Sequence, residues 1–350
     1  MPNAAVDLFC GIGGLTHGLQ LAGINVVAGI DIDGSCQYAY EKNNQAKFIN
    51  KNVTDITADE ICALYPNNCT KILVGCAPCQ PFSKYTKRYR KEGQTDDKWR
   101  LLYAFSDLVE QTLPHVISME NVPELIHENV FNDFVTKLKQ QGYNINSNIV
   151  YCPQYGVPQN RKRLVLLASR LGQINLIDPL YAEDNYITVR QAIGDLPPIE
   201  DGECCEHDSM HRACKLSSTN GKRIRQSVQG GSWRDWKPEL QLKCHKKASG
   251  RSYSSVYGRM RWDSPSPTIT TQFYGYGNGR FGHPEQNRAL SLREGAILQS
   301  FPRDYVFLED ENQFNKRELG IHIGNAVPVQ LGRAIGLSIQ NHLREVGQDG

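Results

Sequence analysis

The chain has 350 residues, a formal net charge of +2 and 40% hydrophobic residues, which allow one large domain or two moderate ones with a normal apolar core. No apolar run approaches the ~20 residues that a membrane-spanning helix needs, so composition argues against an integral membrane protein. The opening residues, MPNAAVD, lack the basic region of a signal peptide. Eleven cysteines without such a signal predict reduced thiols in a cytoplasmic protein.

The first half of the chain alternates two kinds of pattern. Apolar runs predict strands at 4–9, 24–30, 71–74, 115–119 and 163–168, and amphipathic stretches predict helices at 15–22, 36–43, 98–113 and 130–141. This alternation predicts an α/β fold with a doubly wound, mostly parallel sheet.

The periodic pattern stops near residue 180 and returns near residue 288. Between them the chain is rich in Gly, Ser, Pro and charge, which predicts a smaller and less regular inserted domain at 181–287. The expected organisation is therefore a domain at 1–180, the insertion, and a segment at 288–350 that completes the first domain. Within that last segment, helices are predicted at 291–300 and 329–343, with Ser291 and Glu294 spaced as a capping box.

Charge is distributed unevenly between these regions. Residues 212–251 contain eleven Lys and Arg against two acidic residues, a local balance of +9 that leaves −7 for the rest of the chain. A basic segment on a mildly acidic body is typical of a polyanion-binding surface, although a solvated basic face would have the same composition.

A glycine-rich turn, DLFCGIGG, follows the first predicted strand and opens the first helix. Asp31 lies 20 residues beyond Gly11 at the end of the second strand, where a carboxylate can hold ribose hydroxyls. Thr16 occupies the third glycine position of the dinucleotide pattern, so a pyrophosphate ligand is disfavoured. A nucleoside cofactor without phosphates, such as S-adenosylmethionine, fits better, and a purely structural turn is the alternative.

The stretch GCAPCQPFS follows the predicted strand at 71–74, and its prolines end the strand. Cys76 and Cys79 therefore lie at the carboxyl edge of the sheet, the edge at which open α/β sheets bind ligands. A C-x-x-C redox or metal motif is an alternative interpretation, weakened because the chain has no second such pair.

Six separated segments together resemble the cytosine-C5 DNA methyltransferase family. They are DLFCGIGG (7–14), GCAPCQPFS (75–83), MENVP (119–123), QNRKR (159–163), RALSLREGAILQSFP (288–302) and IGNAVP (323–328). They occur in the family's order and span nearly the whole chain. The fold that the resemblance implies is an S-adenosylmethionine-dependent methyltransferase sheet with a smaller inserted target-recognition domain.

The resemblance also implies roles for individual residues. Cys79 would add to C6 of a cytosine, Glu120 would hydrogen-bond the N3 side of the ring, Arg163 would contact O2, and Arg161 would lie beside the catalytic loop. A glutamate that caps the following turn is the alternative for Glu120. The base that removes the C5 proton is not named by the sequence, and ordered water is a candidate.

For S-adenosylmethionine, the family pattern implies a distributed binding set. Its members are Phe9, Gly11, Gly13, Asp31, Ile32, Asp55, Ile56, Pro78, Asn325 and Val327. A simple N-terminal helix cap is an alternative role for Asp55.

DNA contacts are expected from the loop that follows Cys79 and from the inserted domain. The target base must leave the duplex stack before chemistry can occur. The predicted DNA-facing residues are Ser83, Lys84, Lys87, Arg88, Arg259, Arg261, Thr268 and Thr270.

The expected partner is double-stranded DNA, and the compact size predicts a monomer. Whether a restriction endonuclease acts on the same site stays open, as does a tRNA substrate. The long basic insertion and Ser83, where the tRNA-directed members carry Thr, favour DNA. A protein that binds DNA and cofactor without catalysis is a further alternative, disfavoured because Cys79, Glu120, Arg161 and Arg163 are all present.

A cysteine and histidine cluster in the insertion raises the question of zinc. Its members are Cys204, Cys205, His207, His211 and Cys214. Their spacing fits no standard zinc module and the family requires no metal, so no metal site is predicted.

Overall fold

The computed structural model describes residues 1–78, 99–250 and 255–348, apart from the side chain of residue 249. Up to residue 169 it contains eight strands, β1 (Asn3–Leu8), β2 (Val26–Asp31), β3 (Lys47–Asn50), β4 (Thr70–Gly75), β5 (Val116–Asn121), β6 (Asn144–Tyr151), β7 (Gln159–Asn160) and β8 (Lys162–Ser169). All of these except β7 form one seven-stranded sheet in the order β3-β2-β1-β4-β5-β8-β6.

The strands from β3 to β5 pair in parallel, and β8 runs antiparallel to both β5 and β6. This confirms the predicted α/β fold with a mostly parallel sheet. Because parallel strands end at one edge, the residues that follow β1, β2, β4 and β5 are brought to the same side of the sheet.

Ten α-helices occur in the described part of the chain. They are α1 (Gly14–Leu21), α2 (Gln37–Asn43), α3 (Ala58–Leu64), α4 (Arg100–Thr112), α5 (Asn129–Gln140), α6 (Val189–Ile193), α7 (Ser218–Gln226), α8 (Leu292–Leu298), α9 (Lys316–Asn325) and α10 (Val329–Glu345). The predicted capping box of α8 is confirmed, because the Ser291 hydroxyl accepts the Glu294 N–H and Glu294 accepts the Ser291 N–H. No helix among these is long and apolar enough to cross a bilayer.

Helices α1 and α10 pack backbone to backbone. A Cβ built on Gly18 would lie 2.3 Å from the Val329 carbonyl oxygen and 2.5 Å from the Arg333 nitrogen, and one on Gly332 would lie 3.0 Å from the Leu15 carbonyl oxygen. Glycine is therefore required for this approach. Through it, the last helix of the chain is fixed against the first.

The chain divides into two compact units. The first contains Met1–Tyr151, Lys162–Leu180 and Val327–Gly350, and the second contains Cys152–Arg161 and Tyr181–Ala326. The second unit thus extends beyond residue 287, the end expected from composition, because α8 and α9 belong to it. Its remaining strands are β9 (Cys204–Cys205), β10 (Asp208–Arg212) and β11 (Ser266–Pro267).

Each unit has its own apolar packing. In the first, Leu8, Leu73, Ile117 and Leu166 of the sheet are fully buried in one cluster with residues of α4 and α5. The second has a smaller cluster that contains Ile224, Trp233, Trp236, Val256, Tyr276 and Ala289. Although it is poor in regular structure, the inserted region therefore has a core of its own.

Candidate active site

The turn between β1 and α1 has an unusual backbone. Phe9, Gly11 and Gly13 all have positive φ angles, of 62°, 49° and 87°. A Cβ built on Gly11 would meet nothing within 4 Å in the described structure. The turn therefore leaves open space in which a ligand can approach the peptide backbone closely.

Asp31, at the end of β2, closes this turn from the other side. Its Oδ2 accepts the Gly11 N–H at 2.8 Å, and its Oδ1 accepts the Asp33 N–H at 2.9 Å. The side-chain amide of Asn50 donates to the carbonyl oxygens of Asp31 and Ile32, at 3.1 and 2.9 Å. Sequence analysis missed Asn50, which fixes the backbone that carries the carboxylate.

Ile32 follows Asp31 and is 67% exposed, which is unusual for an isoleucine beside a ligand-binding turn. Such a side chain can cover a flat aromatic ring. Its exposure and the two fixed oxygens of Asp31 suit a nucleoside, whose base is apolar on its faces and whose ribose offers two hydroxyls.

A buried polar group lies beneath the turn. The Thr16 hydroxyl donates to Asp7 Oδ2 at 2.7 Å and lies 3.1 Å from the Tyr40 hydroxyl. Burial raises the pKa of Asp7 to about 7, and the charge of Asp31 adds to the rise, while the hydrogen bond from Thr16 opposes it. Thr16, which breaks the dinucleotide glycine pattern, thus links α1 to β1.

Glu120, on β5, carries the other part of the site. It is 2% exposed, and its Oε1 lies 2.8 Å from Arg163 Nε. The Cys76 thiol donates to Oε2 at 2.8 Å. The Arg163 guanidinium thus pairs with Oε1, and the Cys76 thiol bonds Oε2. A buried carboxyl group oriented by two side chains suits a group that bonds a substrate.

The residues around Glu120 hold the strand ends in place. Asn121 donates its side-chain amide to the Ala77 carbonyl at 3.0 Å and accepts the Val122 N–H at 2.8 Å. In this described segment no side chain caps the turn at Pro123–His127, and the Glu120 carboxylate bonds Cys76 and Arg163 instead. Pro78, the last described residue before Cys79, is exposed.

Asp55 and Ile56 precede α3. Asp55 is exposed and accepts the Thr54 hydroxyl at 3.0 Å, while Ile56 is buried in the core. The alternative that Asp55 caps a helix is wrong, because Thr57 caps α3 in a capping box with Glu60.

The IGNAVP segment contributes Asn325 and Val327. Asn325 is exposed at the end of α9 in the second unit, and Val327 is buried in the first. Upstream of Asn325, the side-chain amide of Gln299 donates to the carbonyl oxygens of Ile323 and Gly324, at 2.8 and 3.3 Å. This contact fixes the backbone that presents Asn325.

Arg161 lies in the second unit and is 4% exposed. Its Nη1 donates to the Ile269 carbonyl at 3.0 Å and to Gln159 Oε1 at 3.3 Å, and Gln159 also accepts the Ile269 N–H. These contacts fix the segment that contains Thr268 and Thr270. Thr268 donates to the Asn160 carbonyl, and Thr270 is exposed.

Arg259 requires a correction. It is 5% exposed, and its guanidinium donates to the carbonyl oxygens of Ser227, His283, Gln286 and Ile224 and to Asn287 Oδ1. These bonds give it a structural role in place of the DNA-facing role expected from sequence. Arg261, two residues on, is exposed and keeps the expected position at the surface.

His211, the central member of the cysteine and histidine cluster, is 1% exposed. Its Nε2 bonds the Pro197 carbonyl at 2.8 Å, and its Nδ1 lies 2.9 Å from the Ser291 hydroxyl. Both ring nitrogens are therefore used within the protein.

Several predicted residues fall outside the described ranges. They are Cys79, Ser83, Lys84, Lys87 and Arg88. The structure does describe the strand end that leads to Cys79 and the residues Glu120 and Arg163 of the same unit. The turn, Asp31 and Glu120 all belong to strand ends at one edge of the sheet, so the first unit brings the predicted cofactor and base groups to one side.

Comparison with known proteins gives a consistent result. A family model described as C-5 cytosine-specific DNA methylase matches residues 4–341. The chain is 55% identical over 346 residues to the Type II methylase M.HgiDII of Herpetosiphon aurantiacus, covering 98% of this chain and 96% of that one. It is 31% identical to the Type II methyltransferase M1.BsuMI of Bacillus subtilis, and the alignment covers 95% of this chain and 79% of that one.

Solved structures show a similar fold. A prophage-encoded protein of E. coli has a TM-score of 0.73 at 20% identity, and the Entamoeba histolytica methyltransferase EhMeth has 0.63 at 16%. Each alignment covers 98% of this chain and 99% of the other.

Proposed function

The chain belongs to the C-5 cytosine-specific DNA methylase family and is a DNA cytosine-5 methyltransferase. We propose the following roles for its residues in the reaction. The proposed substrate is a cytosine rotated out of a specific duplex sequence. The proposed route is a transient covalent bond between the Cys79 sulfur and C6 of that cytosine. The methyl donor is S-adenosylmethionine.

The observation that carries this proposal is the environment of Glu120. A buried carboxyl group that is paired with a guanidinium and bonded by a neutral thiol suits the N3 and exocyclic-amine edge of cytosine. When a thiolate adds to C6, negative charge develops on the ring. Glu120 then shares a proton with N3, and Arg163 stabilises the charge near O2.

Cys79 would begin the reaction as a thiolate. Its addition to C6 gives the ring enamine character, so that C5 becomes the attacking carbon. After methyl transfer, a base removes the C5 proton, the ring expels the Cys79 sulfur, and 5-methylcytosine is released. A cytosine stacked in the duplex is out of reach, and extrusion costs on the order of a few kcal/mol.

The cofactor would lie against the turn at Gly11. The open space there and the two fixed oxygens of Asp31 support this position. S-adenosylmethionine, when bound, supplies an electrophilic methyl group. The proposed set in the first unit is completed by Phe9, Gly13, Ile32, Asp55, Ile56, Pro78 and Val327.

The second unit would hold the DNA. Its α7 carries Lys222, Arg223 and Arg225, within the basic segment found from sequence. Exposed Arg261 and Thr270 are further proposed contacts, and Arg259 supports them from the interior. Because the similar proteins are named as Type II enzymes, we propose that this chain protects a recognition site from a partner endonuclease.

Mechanism-based trapping tests the proposal directly. Wild-type protein, tritiated S-adenosylmethionine and duplex DNA should give labelled 5-methylcytosine, with an unmodified tRNA labelled far less. A duplex with 5-fluorocytosine at the target should form a covalent adduct, because fluorine at C5 blocks the final elimination. Bisulfite sequencing of DNA from expressing cells supplies the target sequence for that duplex.

Two variants complete the experiment. Cys79→Ser should lose both the adduct and the labelling, while Cys62→Ala, a partly buried cysteine on α3, should keep both. Full labelling by Cys79→Ser would contradict the covalent mechanism.

A further inference from the structure

We propose that Cys76 is a positioning residue that orients the Glu120 carboxylate toward the target base. This rests on the function proposed above for Glu120. The sequence shows two thiols three residues apart, and the chemistry uses only Cys79. The structure gives the other thiol a specific partner.

The register of the sheet brings the two side chains together. Gly75 on β4 pairs with Met119 on β5, so the next residues on each strand, Cys76 and Glu120, are neighbours across the pair. Adjacent residues of paired strands point to the same face of the sheet. The Cys76 backbone is itself fixed, because its N–H donates to the Leu8 carbonyl at 3.3 Å.

Glu120 is held from two sides by different kinds of group. Arg163 Nε lies 2.8 Å from Oε1, and Arg163 Nη1 donates to the Lys162 carbonyl, which limits its own movement. Cys76 donates to Oε2 at 2.8 Å. The guanidinium supplies charge, and the thiol fixes the second oxygen, so that the carboxyl group is held in one orientation.

A neutral donor suits this position. To donate, the Cys76 sulfur must carry its proton, whereas the nucleophilic sulfur of Cys79 must lose its own. A neutral thiol adds no second charge beside the Arg163 guanidinium. A thiol fixes the carboxyl group and still allows it to take up a proton when charge develops on the ring.

Steady-state kinetics on the full-length protein test this role. Cys76→Ala should lower kcat about tenfold while KM for S-adenosylmethionine stays within about twofold, since the lost hydrogen bond is made to Glu120 and the backbone bond from Cys76 to Leu8 is kept.

A conservative substitution of Cys76 distinguishes a positioning role of its thiol from a packing role. Cys76→Ser keeps a donor at nearly the same place and should recover most of kcat. Cys62→Ala is the matched control and should leave kcat and KM unchanged. If Cys76→Ser is as impaired as Cys76→Ala, the thiol serves only packing and the proposal fails.

A double-mutant cycle gives the decisive comparison. If Cys76 acts through Glu120, then Cys76→Ala should have little effect in a Glu120→Gln background. An undiminished tenfold loss there would overturn the proposal. The Cys79→Ser trapping experiment decides the covalent mechanism separately, in a protein whose Cys76 and Glu120 are intact.

Discussion

Gly11 and Asp31 together determine what the cofactor turn can accept. The N–H of one is tied to the carboxylate of the other, so the peptide at Gly11 has a fixed direction before any ligand arrives. Preorganisation of this kind reduces the entropy lost on binding. An added Cβ would meet no protein atom of the described chain, so within the protein the demand for glycine at this position comes from its φ of 49°. Under the proposed function, S-adenosylmethionine adds a second demand.

Gly11→Ala should therefore separate binding from stability. We expect about 1 kcal/mol loss of stability from the positive φ and at least about tenfold weaker binding of S-adenosylmethionine by calorimetry. Gly142 is the matched control, because its φ is 83° and its surroundings are equally open. Gly142→Ala should lose similar stability and retain cofactor affinity, and equal binding losses in both variants would contradict the assignment.

At the scale of elements, α1 and α10 approach each other so closely that their backbones meet at a glycine. Gly18 faces backbone atoms of Val329 and Arg333, which cannot rotate away as a side-chain tip can. Their contact fixes the start of α1, and thereby the turn that precedes it. A stable cofactor turn thus depends on residues more than 300 positions away in sequence.

Gly18→Ala should force these helices apart. We expect a loss of about 3 kcal/mol in the free energy of unfolding, measured in urea, because overpacking against backbone cannot relax locally. Gly221, in α7, provides the contrast, since a Cβ there would meet only the Arg225 side chain at 3.6 Å. Gly221→Ala should be neutral or stabilising by about 0.5 kcal/mol, and an equal loss in both would argue against close packing as the cause.

For the molecule as a whole, the two units contain buried ionisable groups with opposite pH behaviour. In the second, burial lowers the pKa of His283 to about 4. Burial would raise the pKa of Glu294, but the charge and hydrogen bonds of Arg288 outweigh it and lower the pKa to about 2. In the first, burial raises the pKa of Asp7 to about 7.

Acidification should therefore affect the units differently. A lowered histidine pKa means that the unfolded chain binds the proton more tightly, so the contribution of His283 is lost as pH falls from 6.5 toward 4. The raised pKa of Asp7 has the reverse sign, and its contribution is lost as pH rises from 3.8 through 7. Between pH 7 and 5, hydrogen exchange should show less protection around His283 and more around Asp7.

Two variants identify the groups responsible. Asp7→Asn should remove the pH dependence of exchange in β1, and His283→Gln should remove it around Trp262 and α8. If exchange in both regions keeps its wild-type pH dependence in these variants, other groups cause it.

Much of this fold follows from the sequence, because β1, β2, β4, β5 and β8 are apolar runs buried on both faces. The prediction missed β3 and β6, which lie at the two edges of the sheet and are partly exposed. Edge strands lack the continuous apolar pattern that marks a central strand. The inserted region was predicted from composition alone, which gives no helix or strand boundaries.

The candidate site was likewise predictable only in part from the sequence. The motif residues at strand ends were predicted, because the end of an apolar run can be recognised in the sequence. The bonds from Cys76 to Glu120 and from Asn50 to Asp31 were missed, because they depend on which residues face each other across neighbouring strands. Arg259 and Arg261 show the same limit, since the chain does not reveal which of two nearby arginines points inward.

The pairing of α1 with α10 also has a consequence for biosynthesis. More than 300 residues separate α1 from α10, so the face of α1 around Gly18 lacks this partner until the ribosome has added that whole stretch. Nascent chains with uncovered apolar helices are prone to aggregate or to recruit chaperones. A premature stop codon before residue 329 would leave that condition permanent, and the truncated product would be a substrate for proteolysis before it could ever meet DNA.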